Sequence, residues 1–111
     1  MDIPIEVVRK GLAEEYIQAY EKTEETERKL YKIKQKHSDC IRDLYQAVTS
    51  ESSFFKNGQS VYLGDNVWQH ALVIEEMAKE LVNIAAEYVD IKLEDNQAQE
   101  DFKQLMDNVN N

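Results

Sequence analysis

One proline and three glycines in 111 residues leave this chain little material for turns. Long uninterrupted elements are expected, and many short strands are excluded. One cysteine, Cys40, excludes an intrachain disulfide, and a reducing compartment is the simpler reading. Two histidines leave few routes to general acid–base chemistry. No apolar run approaches the roughly 18 residues of a membrane span. The start, MDIPIEVVRKG, has no apolar stretch of signal-peptide length, so the expected location is cytoplasmic. Cations are scarce in the second half. Residues 51–111 hold four Lys/Arg against twelve Asp/Glu, whereas residues 1–50 are near balance with nine against ten. The net charge of −9 disfavours direct binding to nucleic acid or to an anionic membrane.

What is present is helical periodicity. Hydrophobic residues are 42 % and charged residues 32 %, too apolar for a disordered chain and suited to solvated helices. Ile5, Val8, Leu12, Tyr16, Ala19, Thr23, Thr26, Leu30, Ile33, His37, Cys40, Leu44 and Ala47 recur at spacings of three and four. That seven-residue repeat predicts one coiled-coil-like helix over about 4–50. Pro4 suits its first turn, and Gly11 weakens it by about 1 kcal/mol without stopping it.

A second helix is expected from about 66, capped by Asp65 or Asn66. Val67, Ile74, Leu81 and Tyr88 form one row, and Ala71, Ala78 and Ala85 form another. Trp68, Val82 and Val89 flank one side, and Met77, Ile84 and Ile91 the other. This apolar face is wider than one partner helix covers. The polar run EDNQAQED leaves two arrangements open. Either the helix continues from about 93 through 96–109, where Phe102, Met106 and Val109 resume the seam, or a separate third helix starts there.

Between the helices, residues 53–63 read as a β-hairpin. FFK and QSVYL surround Asn57-Gly58, a strong signal for a two-residue turn. An isolated hairpin is marginal in water, so it is expected to rest on Trp68, Val48 and Tyr45 or on another subunit. Phe54, Phe55, Asn57, Gly58 and Tyr62 are its candidate partner-binding residues. A reversal at Asn57-Gly58 places Thr23 and Thr26 opposite Lys92 and Asp90. Leu44, Cys40 and Ile33 then face Ala71–Leu72, Glu76–Met77 and Val82–Asn83.

The expected fold is therefore all-α: one domain over 1–111, an antiparallel long-helix hairpin with a short β-hairpin at the turn. Its surplus apolar face predicts a homodimeric four-helix bundle. The expected oligomer seam is Trp68, Ala71, Ile74, Ala78, Leu81, Ala85 and Tyr88.

No constellation calls for catalysis, a metal or a cofactor. His37 and Cys40 form an H-x-x-C pair, but His70 is the only other histidine and lies about two turns away. Glu87-Tyr-Val-Asp90 resembles the E-x-x-D half of MazG-type nucleotide pyrophosphohydrolases, which hold Mg²⁺. Glu75-Glu76 departs from the other half, because Lys79 stands where the third acid belongs. Both pieces lie on one helix, whereas Mg²⁺ needs carboxylates from converging elements. Arg28, Lys29, Lys32, Lys34 and Lys36 form a basic cluster that the register sets against Glu80 and Glu87. The functional expectation is a non-enzymatic interaction or assembly protein whose partners are itself and another protein. Two alternatives stand beside it. The helix–hairpin–helix layout resembles a prefoldin chaperone subunit, and the acidic second half suits a nucleic-acid-mimicking inhibitor.

Overall fold

The computed structural model describes residues 2–50, 53–56, 58–62 and 66–111; the side chains of 53–56 and 60–62 lie outside the description. In chain order the elements are α1 (Ile5–Arg9), α2 (Ala13–Thr49), β1 (Ser53–Lys56), β2 (Gln59–Tyr62) and α3 (Val67–Asn110). No described helix is long and apolar enough to cross a membrane.

The first helix does not run unbroken from residue 4. Pro4 stands just outside α1, and its carbonyl accepts from the Val7 and Val8 N–H groups. The chain then leaves the helix at Gly11, whose φ is +70°. The Leu12 N–H donates to the Val7 carbonyl at 3.0 Å and the Gly11 N–H to the Val8 carbonyl at 3.1 Å. This crossed pair is the Schellman stop, which glycine adopts because it has no Cβ to clash. Leu12 packs against the cluster of Val7, Tyr16 and Val109, in keeping with the apolar contact that accompanies such a stop. Gly11 thus ends one helix where the periodicity alone carries the helix through. Ile5 and Val8 are exposed as a result, and Val7 is the residue fully buried.

The second long helix is continuous from Val67 to Asn110, so no separate C-terminal helix exists. Asn66 is its cap: Oδ1 accepts from the Gln69 N–H at 2.9 Å. EDNQAQED does not break the helix because two of its positions serve the interior. Asp95 and Ala98 are both buried. The inward rows of α3 hold a strict period of seven. One is Ile74, Leu81, Tyr88, Asp95, Phe102 and Val109; the other is His70, Met77, Ile84, Ile91, Ala98 and Leu105. On α2 the inward rows from Tyr16 to Ala47 are those the spacing predicts, all buried or half-buried.

The chain divides into two compact units, each pairing a stretch of α2 with an antiparallel stretch of α3. One comprises Met1–Tyr31 with Val89–Asn111. Val7, Tyr16 and Val109 form its apolar centre, with Phe102, Leu105 and Met106 packed around them. Tyr16 and Phe102 meet with ring centroids 5.5 Å apart. Lys10 Nζ donates to the carbonyls of Asn108 and Asn111, placing a cation at the negative end of α3.

The other unit is Lys32–Tyr88. Its centre is Ala47 and Met77 with Leu44, Val73 and Ile74. His70 Nε2 lies 2.6 Å from the Ala47 carbonyl, one of the last carbonyls of α2 without an intrahelical donor. Strand β1 pairs antiparallel with β2, with Phe54 opposite Val61 and Phe55 opposite Ser60. Asn57 lies outside the described residues, and the expected turn type with it.

The register differs from a simple reflection about Asn57-Gly58. Thr26 meets Asp95, not Asp90, and Cys40 lies beside Met77, Glu80 and Ile84, about one turn beyond the expected Glu76–Met77.

Candidate assembly interface

The seam leaves two flanks on the Lys32–Tyr88 unit. Just before the inward row of His37 and Leu44 stand Lys36 and Asp43; just before the inward row of Leu81 and Tyr88 stand Glu80 and Glu87. Lys36 Nζ and Glu87 Oε2 are 4.0 Å apart, so these rows share one flank. This flank is charged. Asp43 is buried and accepts from Arg42 at 3.4 Å, and Arg42 also pairs with Asp39.

The residues just after the inward rows form the opposite flank: Ile41 and Val48 on α2, and Ala71, Ala78 and Ala85 on α3. One step further out stand Tyr45, Trp68 and Val82. This flank carries exposed apolar side chains, with Glu75, paired with Lys79, standing between Trp68 and Val82 in the outer row. Ile41 is 45 % exposed, Val48 59 %, Tyr45 68 %, Val82 67 % and Trp68 74 %. Scattered exposed apolar residues are ordinary, but several large ones on one flank make it a candidate interaction surface.

The seven expected seam residues therefore divide. Ile74, Leu81 and Tyr88 are half-buried in the row facing α2, where Ile74 joins the Ala47–Met77 cluster and the Tyr88 ring lies 6.0 Å from His37. Trp68 and Ala71 are exposed, and Ala78 and Ala85 half-buried, on the open flank. Periodicity alone missed the α2 half of this surface. Its signal was available: Ile41 and Val48 are seven apart with Tyr45 between, a second apolar row beside the first. Tyr45, Val48 and Trp68 were expected to support the hairpin, yet all three are exposed. Gly58 instead lines a recess on the charged flank with Lys36, Asp39, Cys40, Asp43 and Glu80. Phe54, Phe55, Asn57 and Tyr62, the other candidate partner residues, fall outside what the structure describes.

The candidates for chemistry are dispersed. The Cys40 pKa is pushed up by burial first and then by the carboxylates of Glu80 and Asp43, all of which disfavour the thiolate. His70 is engaged with Ala47, away from His37 and Cys40. Glu75 pairs with Lys79 at 3.3 Å, and Glu87 with Lys36. Among the described residues no three His, Cys, Asp or Glu side chains are grouped to hold a metal ion.

The basic cluster is partly answered from within the chain. Lys29 lies between Glu25 at 3.4 Å and Glu94 at 3.5 Å. Its ammonium is held above the usual range, chiefly by the hydrogen bond it donates to Glu25 and then by the charge of Glu94. Arg28, Lys32 and Lys34 form no ion pair among the described residues. Comparison with protein-family models, with curated proteins and with solved structures finds no match for the chain.

Proposed function

We propose that this is a non-enzymatic assembly protein of the cytoplasm that works by protein–protein contact and associates with itself as a dimeric four-helix bundle. The observation that carries the reading is the uncovered apolar flank of Ile41, Tyr45, Val48, Trp68 and Val82. Placing such a surface against another protein removes it from water at about 25 cal/mol per Å². The opposite flank, with its ion pairs and buried Asp43, is suited to remain in solvent. The hairpin, through Phe54, Phe55 and Tyr62, is the second surface of the reading and the one offered to a different protein.

Light scattering across a concentration range tests the proposal. A particle of twice the chain mass supports it; a monomer at every concentration rejects it. A pull-down with Phe54→Ser/Phe55→Ser against wild type tests the hairpin, whose role predicts loss of a partner without loss of the dimer.

A further inference from the structure

We propose that α1 is a hinged strap over the apolar end of the Met1–Tyr31/Val89–Asn111 unit, with Gly11 as its hinge. It is closed when Gly11 is bent, as described above, and open when Gly11 turns helical and α1 runs straight into α2. The closed form hangs on few contacts. With five residues, α1 is far shorter than the roughly 12 that an isolated helix needs to hold by itself. Pro4 gives its start no side-chain cap. Val7 is buried against Tyr16 and Val109, and the other four residues of α1 are exposed. Beside α1, Ile3 and Leu12 pack on the same cluster, and Lys10 holds the carbonyls of Asn108 and Asn111. The ion pair of Arg9 with Glu6 lies within α1.

The open form is encoded in the same residues. On a straight helix Ile5, Val8, Leu12, Tyr16 and Ala19 fall within about 80° of one another, the face that carries the seam of α2. Val7 then points about 160° away from Ile5, to the far side. The two conformations exclude each other. Bent at Gly11, the chain buries Val7 and leaves Ile5 63 % and Val8 56 % exposed. Straight, it aligns Ile5 and Val8 with the seam and gives up Val7. Leu12 serves both: its N–H closes the stop on the Val7 carbonyl in one, and its side chain continues the row in the other.

Gly11 holds the balance. It accepts the φ of +70° that the stop needs and is a poor helix former, so both of its preferences favour the bend. Nothing lies within 4 Å of where a Cβ would stand, so a side chain there shifts the balance without a clash. Opening gives up the burial of Val7 and the two bonds of Lys10, and it regains the helical bonds that the stop interrupts. The apolar end formed by Tyr16 and Val109 is shielded in one state and bared in the other.

The test is thiol labelling of the full chain in a Cys40→Ser background. Val7→Cys reports on the strap and Ala98→Cys on the α2–α3 seam of the same unit, both at buried positions. Val7→Cys is expected to react at least about tenfold faster, because the strap opens without the seam. Its rate is expected to be nearly independent of urea below the unfolding transition, since opening the strap bares little surface. Equal rates with equal urea dependence overturn the strap. Gly11→Ala favours helix and disfavours the bend, and is expected to speed the Val7→Cys reaction at least about tenfold more. An unchanged rate overturns Gly11 as the hinge. Circular dichroism of Gly11→Ala alone, which needs no added cysteine, separates a straightened strap from a frayed one. Helix content that holds or rises supports the open form, and helix content that falls by the length of α1 overturns it.

Discussion

Thr26 Oγ1 donates to Asp95 Oδ1 at 2.8 Å, joining two residues that are 0 % and 7 % exposed. A carboxylate taken out of water is costly unless a donor meets it, and this hydroxyl meets it. The same hydroxyl lies 3.1 Å from the Thr23 carbonyl, the back-bond that holds a mid-helix threonine in one rotamer. Slipping α3 by one heptad would set Asp95 against Ala19 or Ile33, neither of which has a side-chain donor. Polar seam positions of this kind commonly set register at some cost in stability.

The first prediction concerns that pair. Thr26→Val leaves a buried carboxylate without its donor and is expected to destabilise by about 1–3 kcal/mol in urea unfolding. Asp95→Leu with Thr26→Val removes both polar groups and is expected to recover most of the loss. A double variant no more stable than Thr26→Val alone contradicts this account.

Gly11 offers the second. Its φ of +70° is unfavourable for any residue with a Cβ, although nothing lies within 4 Å of where that Cβ would stand. Gly11→Ala is therefore expected to cost about 1–2 kcal/mol through backbone conformation alone. Gly11→Asn should cost less, since asparagine tolerates this region. Equal losses for the two substitutions would argue against the conformational cause.

His70 gives the third. Its ring supplies the Ala47 carbonyl near the end of α2, a helix whose last turn has no basic residue of its own. His70→Ala is expected to lower stability by about 0.5–1.5 kcal/mol. Hydrogen exchange should show the last turn of α2 opening more readily while the Tyr16–Phe102 region is unchanged.

The fourth is a pH dependence. Burial and the nearby Glu80 and Asp43 raise the Cys40 pKa, so the native state keeps its proton to higher pH than the unfolded chain. The thiol's contribution to stability is present below the unfolded-state pKa and is lost as pH rises through the native value. Alkylation of Cys40 should accelerate at a higher pH in native protein than in denaturant. Cys40→Ser should flatten the alkaline fall in stability. Coincident alkylation profiles would contradict the shift.

Much of the architecture was legible in the residues. The α2 seam from Tyr16 to Ala47 is the row that the spacings predict, because apolar burial at a period of seven is a local property of the chain. The start of α3 at Asn66 was legible for the same reason, since a cap needs only the adjacent backbone. Three features were not. Gly11 could weaken a helix or end it, and the packing of Leu12 into the cluster of Val7, Tyr16 and Val109 decided for ending it. EDNQAQED left a continuous helix and a break both open, because a polar run in isolation signals solvent. Asp95 belongs to the interior only because Thr26 is there to meet it. Of the wide apolar face on α3, the sequence could not say which rows faced inward.

The sequence by itself determined two long amphipathic helices, the acidity of the second half and the scarcity of turn-forming residues. These follow from composition and period, which are fixed before the chain folds. Only the tertiary structure decided the register of α2 on α3, the stop at Gly11, and the division of apolar rows into an internal seam and an open flank. Those depend on which distant side chains meet. A heptad repeat is nearly indifferent to slipping by seven residues, so single pairs such as Thr26–Asp95 and His70–Ala47 must select one alignment from several that bury similar apolar area.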